Sequence, residues 1–200
     1  TYLTVICRDY PRALSDICGT ITASDINIVA ARIFTRADGI IIDTFVVVGG
    51  KGETVVSAAT RQAFRDNFAR VITGGFRVED LIRGHAIRWK RRKRNVVYYP
   101  PRVRADNSIS SRYTVLDVFA TDYTGLLYDI TSVLAENGVD IHTARIGTDE
   151  DQVADAFYIR KPGGGKIEGE ELEKLTREII ERIENVERIS GFQKNPGHHE

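Results

Sequence analysis

Hydrophobic and polar positions alternate along the chain in a pattern that occurs twice. Residues 3–7 and 114–119 are short runs rich in β-branched and apolar side chains, which predicts strands. After each run comes a turn, and then apolar positions spaced i, i+3, i+4 and i+7, which predicts amphipathic helices that contain Leu14 and Leu127. Two more strands and a second helix follow in each copy. The expected order within one copy is therefore strand, helix, strand, strand, helix.

The two copies align at a single offset. When the first fifty residues are moved by 113 positions, the Asp-Tyr pair that begins at Asp9 falls on the pair that begins at Asp122. The tripeptide Ala-Arg-Ile that begins at Ala31 falls on the same tripeptide at Ala144. So many matches in order indicate two copies of one structural unit.

A unit of this order needs one more strand to form the split βαβ sandwich. Residues 101–106 are expected to supply it for the first copy and residues 186–192 for the second. Because sheets with open edges are usually covered, the two units are expected to pair through their sheets, within one chain or between chains. The predicted fold class is α+β, with two tandem ferredoxin-like βαββαβ domains. The predicted boundaries are 1–107 for the first domain, with a basic insertion at about 76–99, 108–193 for the second domain, and 194–200 for a tail.

Composition narrows the possible partners. Lys plus Arg and Asp plus Glu both total 28, so the net charge is zero and gives no argument for nucleic acid or an anionic membrane. No apolar run reaches the ~18 residues that cross a bilayer. The basic run at 88–94 contains Trp89 and can bind the phosphates of a nucleic acid. The favoured interpretation is that it is the solvated end of a helix. Two cysteines, Cys7 and Cys18, fit a reducing compartment, and we expect the cytoplasm. Because the sequence has no methionine, we expect part of a longer or processed protein.

The turns before the first helix of each copy are the candidate binding sites. A helix N-terminus offers unpaired N–H groups and a positive dipole end, which suit a carboxylate. Asp9 or Asp122 can accept from an ammonium group. At the start of the next strand, Asn27, or Asp140 with His142, can form hydrogen bonds with a side-chain amide of the ligand.

Structural roles compete with each of these assignments. An aspartate before a helix serves equally well as an N-cap, and His142 alone is more often a packed strand residue. Asp43 and Asp155 lie inside predicted strands and are expected to organise the hairpins. The two turns also differ, because Gly125 permits close backbone approach by a ligand whereas Arg12 either narrows the first site or contacts the ligand carboxylate.

The ordered motifs resemble a known family. The spacing Asp-x-Pro/Thr-x-x-Leu at the strand-to-helix turn, followed by Asn-Ile at residue 27 or Asp-Ile at residue 140, resembles the ACT domain. Residues 31–35, 122–127 and 140–146 together are similar to the C-terminal tandem ACT region of bacterial PII uridylyltransferase/uridylyl-removing enzymes.

This resemblance implies an amino-acid sensor in nitrogen regulation. It implies that glutamine is the effector, that catalytic domains precede the ACT pair, and that glutamine switches those domains between adding UMP to PII proteins and removing it. Self-association through the sheets is also expected. The implied ligand-binding residues are Asp9, Tyr10, Pro11, Arg12, Ala13, Leu14, Asn27, Ile28, Asp122, Tyr123, Thr124, Gly125, Leu126, Leu127, Asp140, Ile141 and His142.

Two other functions compete with this one. The chain can be a stand-alone ACT-repeat protein that binds a small molecule without an attached enzyme. It can also be a catalyst itself, but the sequence shows no nucleophile elbow, no Cys/His metal spacing and no paired-carboxylate motif. We therefore expect no catalytic residue, no metal site and no cofactor in this chain.

Overall fold

The structure is a computed structural model that describes residues 1–89, 98–149 and 152–190. Strands and helices within these ranges follow the repeat. In chain order they are β1 (Tyr2–Arg8), α1 (Ala13–Ala23), β2 (Ile26–Phe34), β3 (Ile40–Gly49), α2 (Ala58–Ile72), α3 (Val78–Trp89), β4 (Arg102–Asp106), β5 (Thr114–Thr121), α4 (Leu126–Glu136), β6 (Asp140–Asp149), β7 (Gln152–Arg160) and α5 (Gly169–Ser190).

These strands form one antiparallel sheet in the order β1-β3-β2-β6-β7-β5-β4. Each repeat contributes three neighbouring strands, and the two halves join where β2 pairs with β6. Along this seam Ala31 lies opposite Ile146 and Phe34 lies opposite Thr143. The Thr143 hydroxyl also donates to the carbonyl of Ile33 at 2.8 Å. The prediction that the two units pair through their sheets is therefore confirmed within the chain.

Within the described residues, helices and strands of both units contribute to one hydrophobic core. Ile17 and Ile21 of α1 are fully buried, as are Ile130 and Leu134 of α4, because their four-residue spacing places each pair on one helix face. Full burial of one such side chain stabilises the fold by about 1.5–3 kcal/mol. The α+β class with two tandem ferredoxin-like units is confirmed.

The strands that were expected to complete each unit are placed differently. Residues 101–106 were expected to finish the first sheet, but β4 pairs with β5 of the second unit. The connection between them is only seven residues, 107–113, so local pairing is favoured. A hydrogen bond spans this connection, because the Thr114 hydroxyl donates to the Asn107 side chain at 2.7 Å.

The expected final strand at 186–192 is also wrong as far as the structure describes it. α5 continues as a helix to Ser190, and residues 191 and 192 lie outside the described part. Its buried residues Leu175, Ile179 and Ile183 follow a helical period, and β4 is the strand that occupies the outer edge of β5. The domain boundary at residue 107 stays a prediction.

The insertion at about 76–99 contains a helix that packs on the repeats. α3 begins at Val78, which is buried against α1. The helices approach closely at Gly19, where an added Cβ would lie 2.5 Å from Val78 Cγ2 and 2.8 Å from Tyr128 Cδ2. Of the basic run at 88–94, the first two residues end α3 and the rest lie outside the described residues, as does the tail.

Candidate functional site

Each repeat places the same kind of turn between its first strand and its first helix. Arg12 precedes α1 and Gly125 precedes α4, and both have left-handed backbone conformations with φ of 76° and 101°. Neither residue provides a side-chain cap. Because the first N–H groups of a helix have no acceptor within the helix, each turn lies beside donors that favour a negative group.

The second turn meets the first repeat at a small cavity. Asn27 and Ile28 at the start of β2 come from one unit, and the turn from Asp122 to Gly125 comes from the other. The volume is about 20 Å³, which is room for about one water molecule. The lining residues are Thr22, Asn27, Ile28, Asp122, Tyr123, Gly125, Leu126, Leu127, Ile146, Val153 and Asp155.

Two carboxyl groups make this cavity acidic. Asp155 of β7 is 2% exposed and accepts a hydrogen bond from the backbone N–H of Gly147 at 3.2 Å. Burial raises the pKa of Asp155 to about 8, and the carboxylate of Asp122 contributes to the rise. A cation at this position would stabilise the charged form of both groups.

A hydrogen bond fixes the aromatic residue of the second turn. The Tyr123 hydroxyl donates to Asp129 Oδ2 at 2.9 Å. Burial raises the pKa of Asp129 to about 6, although the Tyr123 hydrogen bond lowers it. In the first repeat the same positions are Tyr10 and Asp16, and burial together with the Asp16 carboxylate raises the pKa of Tyr10.

The first turn contacts a side chain of α3. The Arg12 guanidinium forms an ion pair with Glu79 of α3, and both side chains are about one-third exposed. Asp43 corresponds to Asp155 in the repeat, and it accepts from the backbone N–H of Phe34 at 3.1 Å. Burial raises the pKa of Asp43 to about 7, and Asp9 contributes to the rise. The first turn therefore has an arginine paired with α3, whereas the second turn has a glycine and adjoins a cavity.

The start of β6 lies near the first turn, since the charge of Asp140 contributes to the raised pKa of Asp9. Asp140 forms an ion pair with Arg160 at 3.7 Å. The His142 ring stacks on Tyr113, with ring centroids 4.5 Å apart and planes 5° from parallel. These contacts hold both residues in the sheet.

The structure thus divides the predicted residues into two groups. Seven of the seventeen line the cavity: Asn27, Ile28, Asp122, Tyr123, Gly125, Leu126 and Leu127. Near the first turn, Ala13 and Leu14 are buried in the core, and Arg12 contacts Glu79. Pro11 and Thr124 belong to the turns themselves. Their role as ligand contacts stays a prediction for every one of the seventeen.

Four lining residues escaped the sequence reasoning: Thr22, Ile146, Val153 and Asp155. For Asp155 a signal existed, because it replaces an apolar residue at the inward-facing position between Val153 and Phe157. It was predicted to organise the hairpin, and its contact with the backbone N–H of Gly147 does join β7 to β6, the two strands of that hairpin. The sequence pattern does not separate the other three from ordinary residues of the core.

The fold and the two equivalent turns define a duplicated regulatory-type domain. The ACT domain family matches residues 1–64 and 114–184, so the chain belongs to the ACT domain family. The two matched segments coincide with the two repeats and leave out α3 and β4.

Three curated relatives that match the chain share the same name. The chain is 35% identical over 167 residues to the bifunctional uridylyltransferase/uridylyl-removing enzyme of Gluconobacter oxydans, covering 84% of this chain and 18% of the relative. It is 32% identical over 163 residues to the enzyme of that name from Rhodospirillum rubrum, covering 82% and 17%. For Azospirillum brasilense the identity is 31% over 169 residues, covering 84% and 18%. The chain therefore spans less than a fifth of the length of these relatives.

No solved structure matches the chain. Among the described residues, none of the helices has the length and apolar character needed to cross a membrane.

Proposed function

We propose that this chain is the glutamine-sensing regulatory region of a cytoplasmic enzyme that adds UMP to PII signalling proteins and removes it. The names of the relatives support the link to uridylyl transfer and removal. The duplicated ACT unit supports a regulatory role for this part. Under this proposal the catalytic domains lie elsewhere in the parent protein, and this chain supplies the control.

The cavity between the repeats carries the proposal. Its walls offer a helix N-terminus for a carboxylate, the Asp122 and Asp155 carboxyl groups for an ammonium, and the Asn27 amide for a side-chain amide. An α-amino acid with an amide side chain presents these three groups together. Since about 20 Å³ holds only a water molecule, glutamine enters by displacing lining side chains.

The position of the cavity explains how binding is transmitted. Asn27 belongs to one repeat and Gly125 to the other, so a ligand that contacts both stabilises one arrangement of the two units. A ligand shifts an equilibrium only by its difference in affinity for the two states. We propose that the catalytic domains respond to the arrangement that glutamine stabilises.

A titration of the purified chain tests this function. Thermal unfolding and calorimetry with glutamine, glutamate and asparagine should show stabilisation by glutamine, which amounts to about 2.7 kcal/mol at a hundredfold excess over the dissociation constant. Glutamate and asparagine serve as matched controls that differ in charge or in length. Equal unfolding with and without glutamine would reject glutamine as the effector, and stabilisation by another amino acid would reassign it.

A further inference from the structure

Within the described residues, the first strand of the molecule is an open sheet edge. β1 is the outermost strand beside β3, and it carries two exposed apolar side chains, Tyr2 at 80% and Ile6 at 67%. Thr1 exchanges both backbone hydrogen bonds with Val47, at 2.9 and 2.8 Å. Because hydrogen-bonded pairs alternate along an antiparallel ladder, the N–H and C=O groups of Tyr2, Thr4 and Ile6 point away from β3.

The same edge in the second repeat is covered. By the offset of 113, Tyr2 and Ile6 correspond to Val115 and Phe119. There β4 pairs with β5, with Asp106 opposite Val115 and Arg102 opposite Phe119. Val115 is consequently only 3% exposed, and the Arg102 guanidinium lies 5.8 Å from the centre of the Phe119 ring.

The strand that covers β5 comes from the N-terminal side. β4 precedes β5 in the chain and returns to it through residues 107–113. The rest of the second unit repeats the first in the same order, so β4 is the element whose counterpart is missing beside β1. By the same offset, that counterpart would precede Thr1 and pair with Tyr2 through Ile6.

We propose that the open edge of β1 binds an antiparallel strand supplied by the segment that leads into Thr1 in the full-length protein. The strand is held as β4 is held on β5, with the same seven-residue connection. Its centre carries an apolar residue in the place of Val103, which packs towards the core, and its backbone satisfies the outward groups of Thr4. The first ACT unit is then a permuted four-stranded unit like the second, and the matched relatives are long enough to contain such a segment.

Hydrogen exchange tests this assignment on two versions of the protein. One is the present chain, and the other extends it with the sixteen residues encoded before Thr1, the counterpart of residues 98–113. We expect the amides of Tyr2, Thr4 and Ile6 to exchange at least about tenfold more slowly in the extended chain. The amides of Leu3 and Val5 point towards β3 and should stay protected in both, which makes them an internal reference.

A proline variant supplies the matched control. Proline at the tenth residue before Thr1, the counterpart of Arg104, removes a central donor of the added strand and should restore fast exchange at Thr4. Fast exchange of the three outward amides in the extended chain, or equal protection in the proline variant, would overturn the proposal. Protection in the extended chain that rises with concentration would also overturn it, because a second copy would then be the occupant.

Discussion

The two turns share one backbone and differ in what stands beside it. Both enter a helix through a left-handed residue, but Gly125 adjoins a cavity between the repeats, whereas Arg12 extends to Glu79 on α3. Arginine pays roughly 1–2 kcal/mol for a conformation that glycine adopts freely. The difference teaches that a duplicated unit can keep its turn geometry while one copy forms an internal ion pair at a position where the other has glycine. We therefore expect the second turn to be the one that binds a ligand.

The largest expected effect is on ligand binding at the second turn. Gly125→Arg places a long side chain in a left-handed conformation beside the cavity, so it should remove the glutamine-induced stabilisation of about 2.7 kcal/mol measured at a hundredfold excess. Thermal unfolding and calorimetry measure both quantities. Arg12→Gly is the matched control and should retain binding. The comparison breaks if Gly125→Arg stays folded and binds glutamine while Arg12→Gly does not.

A second variant tests the helix packing that brings α3 over the first turn. Gly19→Ala puts a Cβ within 2.5 Å of Val78 and 2.8 Å of Tyr128, both largely buried, and overpacking of this kind typically costs about 1–3 kcal/mol. Gly84→Ala is a control on α3 with open space around the added atom, and it should stabilise by about 0.5–1 kcal/mol. Urea unfolding measures both. Similar changes at the two glycines would contradict the close approach of the helices.

The buried carboxyl groups predict a dependence of stability on pH. The folded pKa of Asp155, about 8, lies above the unfolded value near 3.9. The folded state therefore binds more protons, so the contribution of Asp155 to stability is fully present at low pH and is lost as the pH rises towards 8. The slope from one such carboxyl group approaches about 1.4 kcal/mol per pH unit between these pKa values.

Asparagine variants separate the two turns in this experiment. Asp155→Asn should reduce the fall in unfolding free energy between pH 5 and 8, because the amide has no charge to bury. Asp43→Asn should do so over a narrower range that ends near pH 7. Urea unfolding at several pH values gives the slopes. If Asp155→Asn leaves the slope of the parent unchanged, Asp155 is ionised throughout and its surroundings are more polar than the structure indicates.

The smallest expected effect concerns the ion pair of the first turn. Arg12→Gly relieves the left-handed strain of roughly 1–2 kcal/mol and loses a partly exposed ion pair worth about 0–1 kcal/mol, so we expect slight net stabilisation. Glu79→Gln keeps the strain and should destabilise by at most about 1 kcal/mol. Urea unfolding at neutral pH distinguishes them. Marked destabilisation by Arg12→Gly would mean that the contact with Glu79 holds α3 in place.

Most of the fold could be predicted from the repeat in the sequence. Local periodicity identified the strands and helices, and the offset of 113 identified the duplication because equivalent cores need equivalent side chains. Pairing partners were harder to predict, because a strand's period states which face is buried and not which strand lies next to it. For this reason residues 101–106 were predicted correctly as a strand but were assigned to the wrong repeat.

The candidate site was predictable in part. The Asp-Tyr turns and Asn27 were found from their place before a helix or at the start of a strand. That Asn27 meets the turn of the other repeat depends on the β2–β6 seam, which no local pattern encodes. The contact between Arg12 and Glu79 joins residues 67 positions apart, through an insertion that has no counterpart in the second copy.

The seam has a consequence for how the molecule loses its structure. β2 and β6 share a main-chain ladder, and one core continues beneath both. Pulling the repeats apart would remove the partners that residues 30–34 have in β6 and expose a strand edge suited to aggregation. Denaturation should therefore be a single cooperative transition, with no state in which one repeat is folded and the other is not. The two repeats should therefore unfold together as one cooperative unit.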